Sequence, residues 1–96
     1  MADVTVVDNG ARSRYEAHVD GRLAGHIQYH RTSRYLDFLH TQVEPEFEGR
    51  GVGSRLAAGA LDDVRAHRGR VLATCPFIRA YLQRHPEYAD LVVTRA

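Results

Sequence analysis

Apolar and polar residues alternate with a period of two through most of the first half of this chain and then shift to a period near four. Tyr15, Ala17 and Val19 alternate with Arg14, Glu16 and His18. After Asp20-Gly21, the residues Leu23, Gly25, Ile27 and Tyr29 alternate with Arg22, Ala24, His26, Gln28 and His30. This period predicts two half-buried antiparallel strands. The β-branched run Val4 to Val7, closed by Asp8-Asn9-Gly10, predicts a strand before them, and Tyr35 to Val43, apolar on both faces, predicts a central fourth strand after them. A plain two-residue Asp20-Gly21 turn would pair Val19 with Arg22 and mix the two sets, so either the loop has three residues or a bulge intervenes. The polar faces imply that one side of this part of the sheet carries no helix.

From Gly51 onward, Val52, Leu56, Ala60 and Val64 recur four apart, Ala57 and Leu61 widen the stripe, and Arg55, Asp62, Asp63 and Arg65 face away. An amphipathic helix ending near Gly69 follows. Arg70 to Thr74 predicts a short strand, parallel to the fourth because a strand-helix-strand crossover joins parallel neighbours. Cys75-Pro76 opens a second helix that His85-Pro86 ends, and Glu87 to Arg95 closes the chain as a short helical turn and an extended end. The expected class is α/β with a mostly antiparallel sheet, in the order β-β-β-β-α-β-α. Its 96 residues suit one domain, 1–96, with one core.

Between the fourth strand and the helix lies Val43-Glu-Pro-Glu-Phe-Glu-Gly-Arg-Gly-Val-Gly-Ser54. Gly49, Gly51 and Gly53 alternate, so the backbone can take positive φ and approach an anion, while the first N–H groups of the helix point outward unpaired. A pyrophosphate fits such a turn without any charged side chain. The competing dinucleotide-binding reading wants the turn after the first strand of a repeating βαβ pattern and an acidic ribose ligand about twenty residues on. This chain has neither.

Thirteen basic and twelve acidic residues leave a net charge of +1, evenly spread, which gives no electrostatic footprint for nucleic acid or an anionic membrane. No apolar run is long enough for a membrane span or signal peptide, and one cysteine excludes an internal disulfide. A reducing cytoplasm is the expected location. His18, His26 and His30 have no Cys or carboxylate at ligand spacing, so no metal is expected. An exposed edge on so small a sheet points toward a homodimer.

The element order together with Gly49-Arg50-Gly51-Val52-Gly53 resembles the core of the GNAT superfamily of acetyl-CoA-dependent N-acetyltransferases. More closely, Leu39-His40-Thr41, the Val43 to Ser54 turn, Cys75-Pro76-Phe77-Ile78-Arg79-Ala80-Tyr81 and the His-Pro-Glu-Tyr tail resemble the small single-domain GNAT-like members. The resemblance covers nearly the whole chain. It implies a coenzyme A cleft where the parallel strands four and five splay apart. The pyrophosphate would lie on Glu48, Gly49, Arg50, Gly51, Val52, Gly53 and Ser54, and the pantetheine would pair like an extra strand near Thr41, Gln42 and Val43. Glu48 departs from the superfamily turn, which usually carries Gln or Arg there; it is expected to point to solvent, with Arg50 or Arg55 supplying the compensating charge.

The implied activity is transfer of acetyl from acetyl-CoA to an amine acceptor, a small molecule or a peptide. Direct attack by the amine needs mainly positioning, carbonyl polarisation and a proton acceptor. Cys75, at the end of a strand and the start of a helix, where a thiolate is favoured, offers a covalent route; it reads equally as a buried small hydrophobe. His40 is a candidate general base if it faces the same side as Cys75, and is otherwise a hydrogen-bonded core histidine. Tyr81 is a candidate proton donor to departing coenzyme A, although its apolar helix also suits a packing role. A non-catalytic coenzyme A-binding or protein-interaction module is the alternative from another class, and a small nucleotide-binding protein is a third.

Overall fold

In a computed structural model describing residues 3–93, five strands form one sheet in sequence order: β1 (Val4–Asn9), β2 (Arg14–Val19), β3 (Arg22–Arg31), β4 (Leu36–Val43) and β5 (Val71–Ala73). The first four are antiparallel, and β5 runs parallel to β4. Helix α1 (Val52–Ala66) joins β4 to β5, and α2 (Pro76–Arg84) follows β5. The expected α/β order is therefore observed. A 3₁₀ turn at Pro86–Leu91 closes the fold, and Val92 forms an isolated parallel bridge with Val71. The expected extended end reaches Arg95, which lies outside the described residues.

The β2–β3 hairpin resolves the parity conflict with a bulge. Asp20 and Gly21 both take positive φ, 51° and 78°, as a two-residue hairpin turn matched to strand twist requires, and Val19 pairs directly with Arg22. Ala17 faces Gly25 while His18 faces Leu23, which leaves Ala24 as the extra residue. The expected alternation is corrected there. Leu23 moves to the polar face opposite His18, and Ala24 becomes fully buried.

Tyr15, Ile27 and Phe38 of the sheet meet Leu56 and Leu61 of α1 and Ile78 of α2 in one core, all at most 2 % exposed. Each such side chain contributes about 1.5–3 kcal/mol through burial. Asp63, expected to face away, is half-buried and accepts the Tyr15 hydroxyl at 2.7 Å. Burial and that carboxylate push the Tyr15 phenol pKa up. Both helices share the core cluster, so the other sheet face, carrying Arg14, Glu16, His26, Gln28, His40 and Gln42, has no helix over it.

Candidate active site

The parallel pairing of β4 with β5 covers only Leu36–Phe38 against Val71–Ala73. Its last link is the Cys75 N–H, which donates to the Phe38 carbonyl at 2.8 Å. Beyond that point His40–Val43 keep β3 on one side and have no strand on the other. A wedge results, with a free main-chain edge that an amide-bearing ligand can pair with.

At the wide end of the wedge stands the glycine turn. Gly49 and Gly51 take φ of 80° and 76°, and a Cβ on either would meet nothing, so conformation rather than space requires glycine there. Gly51 is the N-cap of α1 and no side chain caps the helix, leaving the first-turn N–H groups directed at the cleft. Gly53 departs from the expectation. It lies inside α1 without positive φ, and its missing Cβ makes room for Phe77.

A cavity of about 240 Å³ lies between this turn, Val43 and the rings of Phe47 and Phe77. Sequence reasoning missed both phenylalanines; Phe47 lies two residues before Gly49 and Phe77 two residues after Cys75, and that nearness to motif residues was the available signal. Phe47 is buried, with the guanidinium groups of Arg22 and Arg50 5.4 and 5.6 Å from its ring centroid. Two 2.6 Å hydrogen bonds from Arg22 to Glu46 fix one side of this stack. Arg50 is thereby held beside the turn, next in the chain but one to the exposed Glu48.

Thr41 and Cys75 are brought together at the apex: their Oγ1 and Sγ atoms lie 3.4 Å apart. Cys75 is 3 % exposed and is the N-cap of α2, with Pro76 at the first helical position. His40 is not part of this pair. A bulge leaves Leu39 without a β3 partner, since Tyr29 faces Phe38 and Gln28 faces His40. That extra residue turns His40 onto the open face with Gln28, while Thr41, opposite Ile27, faces the helices. The condition for His40 serving Cys75 is therefore not met.

Tyr81 is also separate. It is buried near the other end of α2, stacked on His85 at 4.0 Å and tilted against Tyr88, and burial, with Glu87 and Asp62 nearby, raises its pKa. On the open face, Glu16 accepts hydrogen bonds from Arg14 Nε (2.8 Å) and Asn9 Nδ2 (3.0 Å) and pairs with His18 Nε2 (3.1 Å). Among the described residues, no group of three His, Cys, Asp or Glu is placed to hold a metal ion, and no helix is long and apolar enough to cross a membrane.

The solution structure of a GCN5-like protein from Staphylococcus aureus superposes with a TM-score of 0.70, over all of this chain and 94% of that one, at 19% identity. It has the same fold. Protein NATD1 of chicken and of mouse is 36% identical over 53 residues, 55% of this chain and 48% of each relative; human NATD1 matches equally over 47% of its length. The matched segment thus spans about half the length of these curated relatives. Residues 14–91, from the start of β2 to the closing 3₁₀ turn, match the model of the GCN5-related N-acetyl-transferases. With the wedge and the uncapped glycine turn inside that match, the chain belongs to the GCN5-related N-acetyltransferase family.

Proposed function

We propose that this chain binds coenzyme A along the β4–β5 wedge and transfers acetyl from acetyl-CoA to an amine acceptor, a small molecule or a peptide. One observation carries the reading: an uncapped helix N-terminus behind two positive-φ glycines opens onto the same cleft as an unpaired strand edge. The first suits a diphosphate and the second an amide-bearing arm. The thioester supplies an acyl group already activated for attack. Backbone N–H groups of Gly49 to Ser54 bind the phosphates and Arg50 adds charge, while Thr41, Gln42 and Val43 present the pairing edge.

Cys75 and Thr41 stand at the inner end of that edge, where a thiol and a hydroxyl touch. His40 stands on the opposite face of β4 and accepts the proton of an amine approaching from the open side. Tyr81 packs the α2 end and takes no proton step. An unpaired thiol at the apex suits a reducing compartment, and cytoplasmic location is part of this proposal.

Calorimetry with coenzyme A, followed by intact-mass measurement after mixing with acetyl-CoA, tests it. Saturable binding is expected; absence of heat at millimolar ligand would overturn the reading. An added acetyl of about 42 Da mapped to Cys75 indicates a covalent route, and its absence with continued thiol release indicates direct transfer. The bare open face favours one second reading, a coenzyme A-binding interaction module. Binding without thiol release above background across a panel of amines would select it.

A further inference from the structure

A larger cavity, about 440 Å³, lies away from the glycine turn, between the β3–β4 hairpin and the C-terminal end of α1. Fifteen helical residues, roughly 22 Å at 1.5 Å each, separate the two ends of α1. The cavity is lined by four arginines, Arg31, Arg34, Arg68 and Arg70, against two aspartates, Asp8 and Asp63. Each aspartate is already engaged: Tyr29 Oη donates to Asp8 at 2.6 Å and Tyr15 Oη to Asp63 at 2.7 Å. Arg31 lies 3.7 Å from Asp8, and Arg70 donates to the Asp90 carbonyl. The Arg34 and Arg68 guanidinium groups have no hydrogen bond or ion pair with another described residue.

Both walls are fixed. Thr32 Oγ1 donates to the Tyr35 carbonyl at 3.0 Å and accepts the Arg34 and Tyr35 N–H groups, which holds the hairpin tip in one shape. The Leu36 N–H donates to the Arg70 carbonyl at 2.9 Å and ties the hairpin to the far wall. Arg68 has φ of 57°, the left-handed position after a helix that glycine favours, although Gly69 is its neighbour. A non-glycine residue there costs about 1 kcal/mol. Of the last four α1 carbonyls, those of Asp63, Arg65 and Val64 accept the N–H groups of His67, Arg68 and Gly69.

From this geometry we infer a second ligand site, for a small organic anion bearing a phosphate or carboxylate group, held by Arg34 and Arg68 across a cavity in which four arginines outnumber two aspartates. Planar guanidinium forks match both groups, and the volume falls in the range of small-molecule sites. The site is independent of the acetyl-transfer reading.

Isotope-labelled chain comprising residues 1–96, titrated separately with inorganic phosphate and with citrate in roughly 0.1 M salt to screen long-range attraction, tests the inference by NMR. Saturable amide shifts at residues 32–36 and 67–70 are expected with at least one probe, and the probe that acts names the group. Arg34→Ala and Arg68→Gly should each weaken binding at least tenfold, whereas Arg12→Ala, on the turn after β1, should leave it unchanged. Arg68→Gly relieves the positive φ, so this variant stays folded and its loss of binding is not loss of structure. Shifts confined to Glu48–Ser54, shifts that never saturate, or variants that bind like the parent would overturn the site.

Discussion

The ring of Phe77 lies against the backbone of Gly53, so that a Cβ at position 53 would come within 2.9 Å of Phe77 Cζ. Phe77 is half-exposed and can swing away, and alanine raises helix propensity by about 1 kcal/mol, so Gly53→Ala should leave the melting temperature nearly unchanged. Displacing the ring deforms a wall of the proposed coenzyme A cavity. Calorimetry should show affinity for coenzyme A falling by about tenfold, the equivalent of 1.4 kcal/mol; unchanged affinity would remove Phe77 from the site.

Gly25 poses a harder steric problem. A Cβ there would sit 2.7 Å from the Gln42 carbonyl oxygen, a main-chain atom that cannot rotate away. Gly25→Ala should force β3 and β4 apart beside the pairing edge and destabilise the fold by about 1–3 kcal/mol, measured as a lowered urea midpoint. Coenzyme A affinity should fall with it, because Gln42 and Val43 form that edge.

Much of this organisation was legible in the sequence, and the illegible parts have specific causes. The β2 residues and the Val52, Leu56, Ala60, Val64 stripe were evident because their periods match strand and helix geometry. Parity demanded an irregularity after Val19, yet nothing local marked Ala24 as the extra residue: a bulge is set by how two strands meet. Leu39 is the same case with a larger effect. An unbulged strand would have put His40 on the face of Phe38, and the residue beside Thr41 gave no sign of the switch. The Phe47 and Phe77 walls were hidden because isolated aromatic residues read as ordinary packing until the turn brings them together.

The N-cap of α1 offers a test of backbone conformation alone. Gly51 has φ of 76° and open space around its Cα, so alanine there meets strain without a clash. Gly51→Ala should cost about 1–2 kcal/mol. For a chain of this size each kcal/mol lowers the melting temperature by about 4–8 °C. A melting temperature equal to that of the parent would contradict this account of the turn.

Glu16 gives the fold a defined acid sensitivity. The Arg14 hydrogen bond, helped by Asn9 and His18 and opposed by burial, holds its pKa at about 2 against 4.5 when free. A carboxyl lowered on folding stabilises the fold fully above its unfolded value, and that contribution disappears as pH falls through the folded value. Glu16→Gln should therefore cost about 1–2 kcal/mol near neutrality, where a charged hydrogen-bond acceptor is lost. Between about pH 5 and pH 2 the parent should lose stability and the variant should lose less. Parallel urea midpoints for the two across that window would disprove the role of Glu16.

The unpaired Leu39 makes β4 a partition between two chemically different sides. The His40 imidazole looks out to solution, while the Thr41 hydroxyl looks inward to the Cys75 sulfur, and only the thickness of one polypeptide separates them. Removing that single leucine would rotate the preceding or following stretch by half a revolution, exchanging inside for outside along the strand.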